Sequence, residues 1–111
     1  MINKIKKLAN NIFDDIVEIR RYIHKNPELS FKEHATSTFI KSVLTSWNIP
    51  FTDGIAETGV VVLLQGENPS SKTLALRADF DALPIFEENS VEYCSQNIGV
   101  MHACGHDAHT A

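Results

Sequence analysis

The segment Met101-His102-Ala103-Cys104-Gly105-His106-Asp107-Ala108-His109-Thr110-Ala111 places one thiol and three imidazoles within eight positions. Thiolate sulfur with imidazole nitrogen is a donor mixture that suits zinc and neighbouring divalent transition ions. Cys104 and His106 stand two residues apart, so in an extended segment or tight turn their side chains point the same way. Gly105 between them allows backbone torsions closed to other residues. A bare Cys-x-His would read as a histidine-containing tail, but the density of ligands around this one points to a metal ion. Two ligands do not complete a site, because catalytic zinc usually keeps three and a water. His102, His109, Asp79 and Asp81 are each candidates to supply a third.

A second signal lies in Arg77-Ala78-Asp79-Phe80-Asp81-Ala82-Leu83-Pro84. Two carboxylates in i, i+2 register at the end of a strand share one face, where α/β proteins place their ligands. One of them can orient a metal-bound imidazole through a hydrogen bond to its other nitrogen. The spacing fits equally well an Arg77–Asp ion pair and a turn-forming Asp ahead of Leu83-Pro84. A third cluster, Arg20 to Leu29, reads as a solvated helix end whose cations suit the C-terminal dipole. His34 has no visible partner and reads as a surface residue.

The elements that must position these groups follow from periodicity. Ile5, Leu8, Ile12, Ile16, Ile19 and Ile23 recur at spacings of three and four, which predicts one amphipathic helix from about Asn3 to Lys25, ended by Asn26-Pro27. Ala35, Phe39, Val43, Leu44 and Trp47 predict a second, closed by Asn48-Ile49-Pro50. Ser30 and Glu33 have capping-box spacing, which sets its start near Phe31. Val60 to Leu64 is a continuous aliphatic run between Gly59 and Gly66 and predicts a buried strand. Thr73 to Ala78 predicts a second strand that delivers Asp79 and Asp81. Leu83 to Gly99 has little periodicity, and His106 to Ala111 looks like a helix halted after its first turn. The fold class predicted is α/β, two helices followed by strands of a mixed sheet. Two strands alone cannot carry an open sheet, so the organisation is that of an incomplete domain.

Composition narrows the partners. The hydrophobic share of 43% and charged share of 22% are those of a globular chain able to form a core. The net charge of −4, without a basic face, argues against nucleic acid and against an anionic membrane surface. Polar residues interrupt the N-terminal segment too often for a secretory signal, and no run approaches a membrane span. A cytoplasmic setting follows, in which Cys94 and Cys104 stay reduced and Cys104 is available as a ligand.

The segments RRYIHKNPELSFKEHAT, LRADFDALPI and GVMHACGHDAHTA, in this order and spacing, closely resemble the N-terminal part of the M20 family of metallohydrolases. The resemblance runs from about Asp14 to Ala111 and is to the amidohydrolase branch, which includes N-acyl-amino-acid, hippurate and auxin-conjugate hydrolases. It implies a hydrolase with two divalent ions (zinc, manganese, cobalt or nickel) that cleaves the linear amide of small N-acylated amino acids. By the same comparison Cys104 and His106 match metal ligands. Asp81 matches an acidic position beside the metals, with an orienting role. Asp79 stands where other branches carry a histidine ligand, and Cys94 falls in a variable stretch as an ordinary packed thiol. Residues 1–111 would then be the N-terminal portion of the catalytic domain. The general base, the remaining ligands and the domain through which the full-length protein forms a homodimer would lie beyond Ala111. The 111 residues alone are accordingly expected to be inactive. The alternative of another class is a truncated, non-catalytic metal-binding or interaction module.

Overall fold

The computed structural model describes all of residues 1–111 as α1 (Ile2–Asn11), α2 (Phe13–Lys25), α3 (His34–Ser46), β1 (Phe51–Ile55), β2 (Gly59–Val62) and α4 (His106–Thr110). The single helix expected over 3–25 is two. Its stripe is interrupted at Ile12, where the backbone leaves helical torsions (φ −106°, ψ 4°) after the poor helix formers Asn10 and Asn11. Helix α1 buries no residue, so nothing draws Ile5 and Leu8 inward. Helix α2 begins with Asp14 and Asp15 and ends with His24 and Lys25, charges that suit the two ends of its dipole. Its inner face buries Ile23 and His24.

Helix α3 starts three residues later than the capping-box spacing predicts, because Phe31 turns into the left-handed region (φ 61°). The cap comes from Glu28 instead. Its Oε1 accepts the Ala35 N–H at 3.1 Å, and its Oε2 accepts the Thr36 N–H and hydroxyl, both at 2.7 Å. One carboxylate thus takes the place of several helix-end acceptors and sits where the dipole favours negative charge. Glu33 is buried and accepts the Thr58 hydroxyl at 3.0 Å. At the other end Asn48 adopts φ 55°, and the Asn48 and Ile49 N–H groups bond back to Thr45 and Leu44. That is a Schellman closure with asparagine in the position usually given to glycine.

The strand expected at 60–64 forms over Gly59–Val62, and its partner β1 was not legible in the pattern. They pair antiparallel, Phe51 opposite Val62 and Thr52 opposite Val61, with an irregularity between Asp53 and Ile55. Gly54 takes φ 74° at that point. Gly59 is obligatory, since a Cβ there would stand 2.5 Å from the Ile55 carbonyl oxygen. Lys41 on α3 reaches Asp53 on β1 at 2.8 Å and ties hairpin to helix.

The strand expected at 73–78 does not form, because no neighbouring segment offers it a ladder. Leu74 and Leu76 are 83% and 89% exposed, and Leu63 and Leu64 beside the hairpin are also open to solvent. The apolar interior is small, with Ile23, Ala82 and Val100. Around it three extended segments are stitched by their backbones. Leu29 forms a parallel bridge with Ala82, and Leu83 an antiparallel bridge with Met101. The Ala82 N–H donates to the Glu28 carbonyl at 2.7 Å, and Leu83 and Met101 exchange two bonds of 2.9 Å. This junction brings the ends of the 79–81 and 101–106 segments together. No helix is long and apolar enough to cross a membrane.

The Glu28 cap sets a stability test. Glu28→Ala is expected to remove about 1–2 kcal/mol, as lost helix caps do, and Glu28→Gln less. Urea unfolding followed by far-UV circular dichroism measures it, and an unchanged midpoint for the alanine variant would show that α3 does not depend on this carboxylate.

Candidate metal centre

Gly105 stands at φ 84° and ψ 15°, a left-handed residue that turns the chain into α4. His106 is therefore the first helical residue and Cys104 the last before the turn. The Asp81 carboxylate accepts from His106 Nδ1 at 2.8 Å, and the Asp81 carbonyl oxygen lies 3.0 Å from the same nitrogen. That contact fixes the tautomer. With its proton on Nδ1, the imidazole presents Nε2 as a bare donor, the form a metal ion takes. Nε2 lies 4.0 Å from Asp79 Oδ2. Asp79 also holds α4 through its backbone, whose carbonyl accepts the Thr110 hydroxyl at 2.8 Å.

The Cys104 thiol is exposed, and neither it nor Cys94 is in a disulfide. An exposed thiol two residues from an imidazole whose Nε2 is left free is a donor set that fits a zinc-type ion. No three acidic, histidine or cysteine side chains converge into a cage. Of the two readings of the 77–84 segment, both occur on different residues. Asp81 orients the imidazole, while Arg77 pairs with Asp79 at 3.1 Å through a guanidinium 88% exposed. An ion pair that open to water contributes little. His109 is exposed, with its ring 5.9 Å from that of His106.

The Arg20–Leu29 cluster is not a solvated helix end. His24 is buried, and its Nδ1 lies 2.7 Å from Asp107 Oδ2 while its Nε2 lies 3.1 Å from Glu87 Oε1. Each ring nitrogen of His24 thus faces a carboxylate oxygen. Arg20 Nε reaches the same Asp107 oxygen at 2.7 Å. Arg20 Nη2 lies 3.2 Å from His24 Nδ1. The Asp107 side chain is 0% exposed. Glu87 also accepts the Ser95 N–H at 2.6 Å and the Asn89 amide at 3.1 Å. Burial, the largest single influence, pushes the Glu87 carboxyl up. The bonds from Ser95, His24 and Asn89 and the charge of His24 together outweigh it and hold the group below the ordinary glutamate value.

His102 lies against this cluster, its ring 6.3 Å from that of His24. It is buried, and neither ring nitrogen has a hydrogen-bond partner. Burial, foremost, and the nearby histidines hold its pKa below the usual imidazole range against the pull of Asp107 and Asp81. The second oxygen of Asp107 is likewise buried without a partner.

Residues 75–111, which carry Asp79, Asp81, Cys104 and His106, match the model of peptidase family M20/M25/M40. A thermostable carboxypeptidase 2 of Saccharolobus solfataricus is 47% identical over 112 residues, covering 100% of this chain and 28% of that protein. An N-acyl-L-amino acid amidohydrolase of Geobacillus stearothermophilus is 45% identical over 108 residues, covering 97% of this chain and 29% of the relative. The crystal structure of Bacillus subtilis YXEP, described as a dinuclear metal binding peptidase from the M20 family, superposes with a TM-score of 0.84. It shares 38% sequence identity, over 91% of this chain and 28% of that one. The chain belongs to the M20 family. It spans a little over a quarter of the length of the relatives it matches.

Within this M20 chain, the residues that pattern reasoning missed are Arg20, His24, Glu87 and Asp107. Arg20 and His24 are one helical turn apart on α2, a spacing that puts both on one face. A histidine in register with the apolar stripe ending at Ile23 was the available sign that this face turns inward. Nothing near Glu87 in sequence announced its partner.

Because the Glu87 carboxyl is held below its unfolded value, its contribution to stability is complete above the ordinary glutamate value of 4.5 and is lost as pH falls through the lower folded value. Thermal melts stepped down in pH are expected to show this loss, and Glu87→Gln to flatten it while lowering stability at neutral pH. An acid limb equally steep in the variant would place the sensitivity elsewhere.

Proposed function

We propose that this chain contributes Cys104 and His106 as ligands to a two-metal centre in an enzyme that hydrolyses the amide of N-acylated amino acids. The observation that carries the reading is the Asp81–His106 bond of 2.8 Å, which leaves Nε2 bare two residues along the chain from an exposed thiol. The family match and the amide-cleaving relatives support the reaction class. Divalent ions held there would supply Lewis-acid polarisation of the scissile carbonyl and ready ionisation of the attacking water. This chain's own residues do the holding. Cys104 brings a soft sulfur donor, His106 an imidazole nitrogen, and Asp81 orients that imidazole and locks its ring plane. Asp81 is thus a positioning residue. Asp79 is engaged by Arg77 and through its carbonyl by Thr110, which argues against a ligand role for it.

The residues present form no three-ligand cage and include no assigned general base. The 111 residues alone are therefore inactive in this reading, as the N-terminal portion of a catalytic domain. The complete protein would act on small-molecule substrates as a homodimer. The related carboxypeptidase favours one variation, a free peptide in place of an N-acyl amino acid.

Purified 1–111 supplied with zinc, manganese, cobalt or nickel should release no amino acid from N-acetyl amino acids. Turnover would sink this assignment of labour. In the longer protein, a chelator should abolish amide hydrolysis, and Asp81→Asn should weaken metal affinity about 10–100-fold, as loss of such partners does. Undiminished affinity in Asp81→Asn would refute the orienting role. Parallel assays on N-acyl amino acids and dipeptides separate the two substrate classes.

A further inference from the structure

We propose that Arg20, His24 and Glu87 act through Asp107 as a positioning set that fixes the orientation of the Cys104–His106 pair toward its metal, an inference that rests on the ligand role proposed above. Helix α4 has five residues, too few to hold its own geometry. It follows a left-handed glycine and has no side-chain cap. Its direction must be imposed from outside. Consecutive helical side chains diverge by roughly 100° around the axis. His106 therefore faces the 79–81 segment while Asp107 faces α2.

On the α2 side the hold is strong. Arg20 Nε and His24 Nδ1 converge on a single Asp107 oxygen, each at 2.7 Å, and that side chain is wholly buried. Arg20 and His24 face two carboxylates, Asp107 and Glu87, and Glu87 is anchored in turn by Ser95 and Asn89. Tyr93 closes the cluster, its ring edge-on to His24 at 5.7 Å and under both Arg20 and Arg21. The side chains of the set make no hydrogen bond to Cys104 or His106, and they reach the pair only through the backbone of α4. The set acts by aiming the helix, and Asp81 by turning the ring.

Cobalt(II) is the probe, since thiolate coordination gives it a near-ultraviolet charge-transfer band whose position reports ligand geometry. The longer protein, which carries the full ligand set in this reading, is titrated with cobalt(II), with Cys104→Ser as the control for the band. Asp107→Asn keeps the volume but weakens the shared acceptor. Arg20→Lys keeps the charge on a side chain one-third exposed and loses the directed Nε contact. Both are expected to weaken cobalt affinity about 10–100-fold and to shift the band, at a temperature where far-UV circular dichroism is native. A tether that is only structural would lower the melting temperature and leave affinity and band unchanged in the folded chain, and that result would overturn the proposal. Should Asp107→Asn not fold, Arg20→Lys decides alone by the same criteria. A longer wild-type protein that binds cobalt(II) without a thiolate–cobalt band would remove the ligand assignment and this inference together. A normal wild-type band with unaltered variants would remove only the inference.

Discussion

A carboxylate with no exposure to water is the constraint around which this chain is arranged. An ionised group removed from solvent costs several kcal/mol unless charged, well-directed donors replace its hydration. Asp107 obtains them from Arg20 and His24, one turn apart on α2. The second donor is itself buried and needs a second anion, and Glu87 supplies it from a segment with no regular structure. Burying one charge therefore commits three separate stretches of sequence to a single arrangement. A pairing of this kind gives little net stability over an apolar alternative. Its effect here is geometric.

The backbone junction of residues 28–29, 82–83 and 101 does the complementary work. It replaces a conventional sheet with single bridges, enough to set the separation between the 79–81 and 101–106 segments. With that separation fixed, Asp81 and His106 meet at hydrogen-bond distance although 25 residues separate them in sequence. Glu28 joins both functions, its carbonyl accepting from Ala82 and its carboxylate capping α3. Fold and site are thus determined by the same few polar contacts. The apolar core, Ile23, Ala82 and Val100, is too small to dictate them.

The parts legible in the sequence were those encoded locally. Cys104-Gly105-His106 announced a turn with two donors, and the turn is there at Gly105. The stripe ending at Ile23 gave α2, and the aliphatic run at 60–64 gave most of β2. Misreadings arose where a distant partner decided. The break at Ile12 reflects the absence of anything for α1 to bury, which periodicity does not report. Ser30 and Glu33 had the right spacing for a cap, but Glu28 reached the helix end first and Glu33 was drawn to Thr58. Thr73–Ala78 has strand composition, yet a strand exists only with a neighbour to bond to. His24 read as a solvated cation because its two anions lie 63 and 83 residues away.

The leucines at 63, 64, 74 and 76 bear on how the chain behaves among copies of itself. Four large aliphatic side chains stand at 70–89% exposure, two of them directly after a two-stranded hairpin whose outer edges are unpaired. A surface of that kind favours self-association over staying dispersed. The modest net charge of −4 supplies little mutual repulsion to oppose it. Colloidal behaviour, more than the strength of any internal contact, sets the concentration at which the isolated chain can be kept in solution.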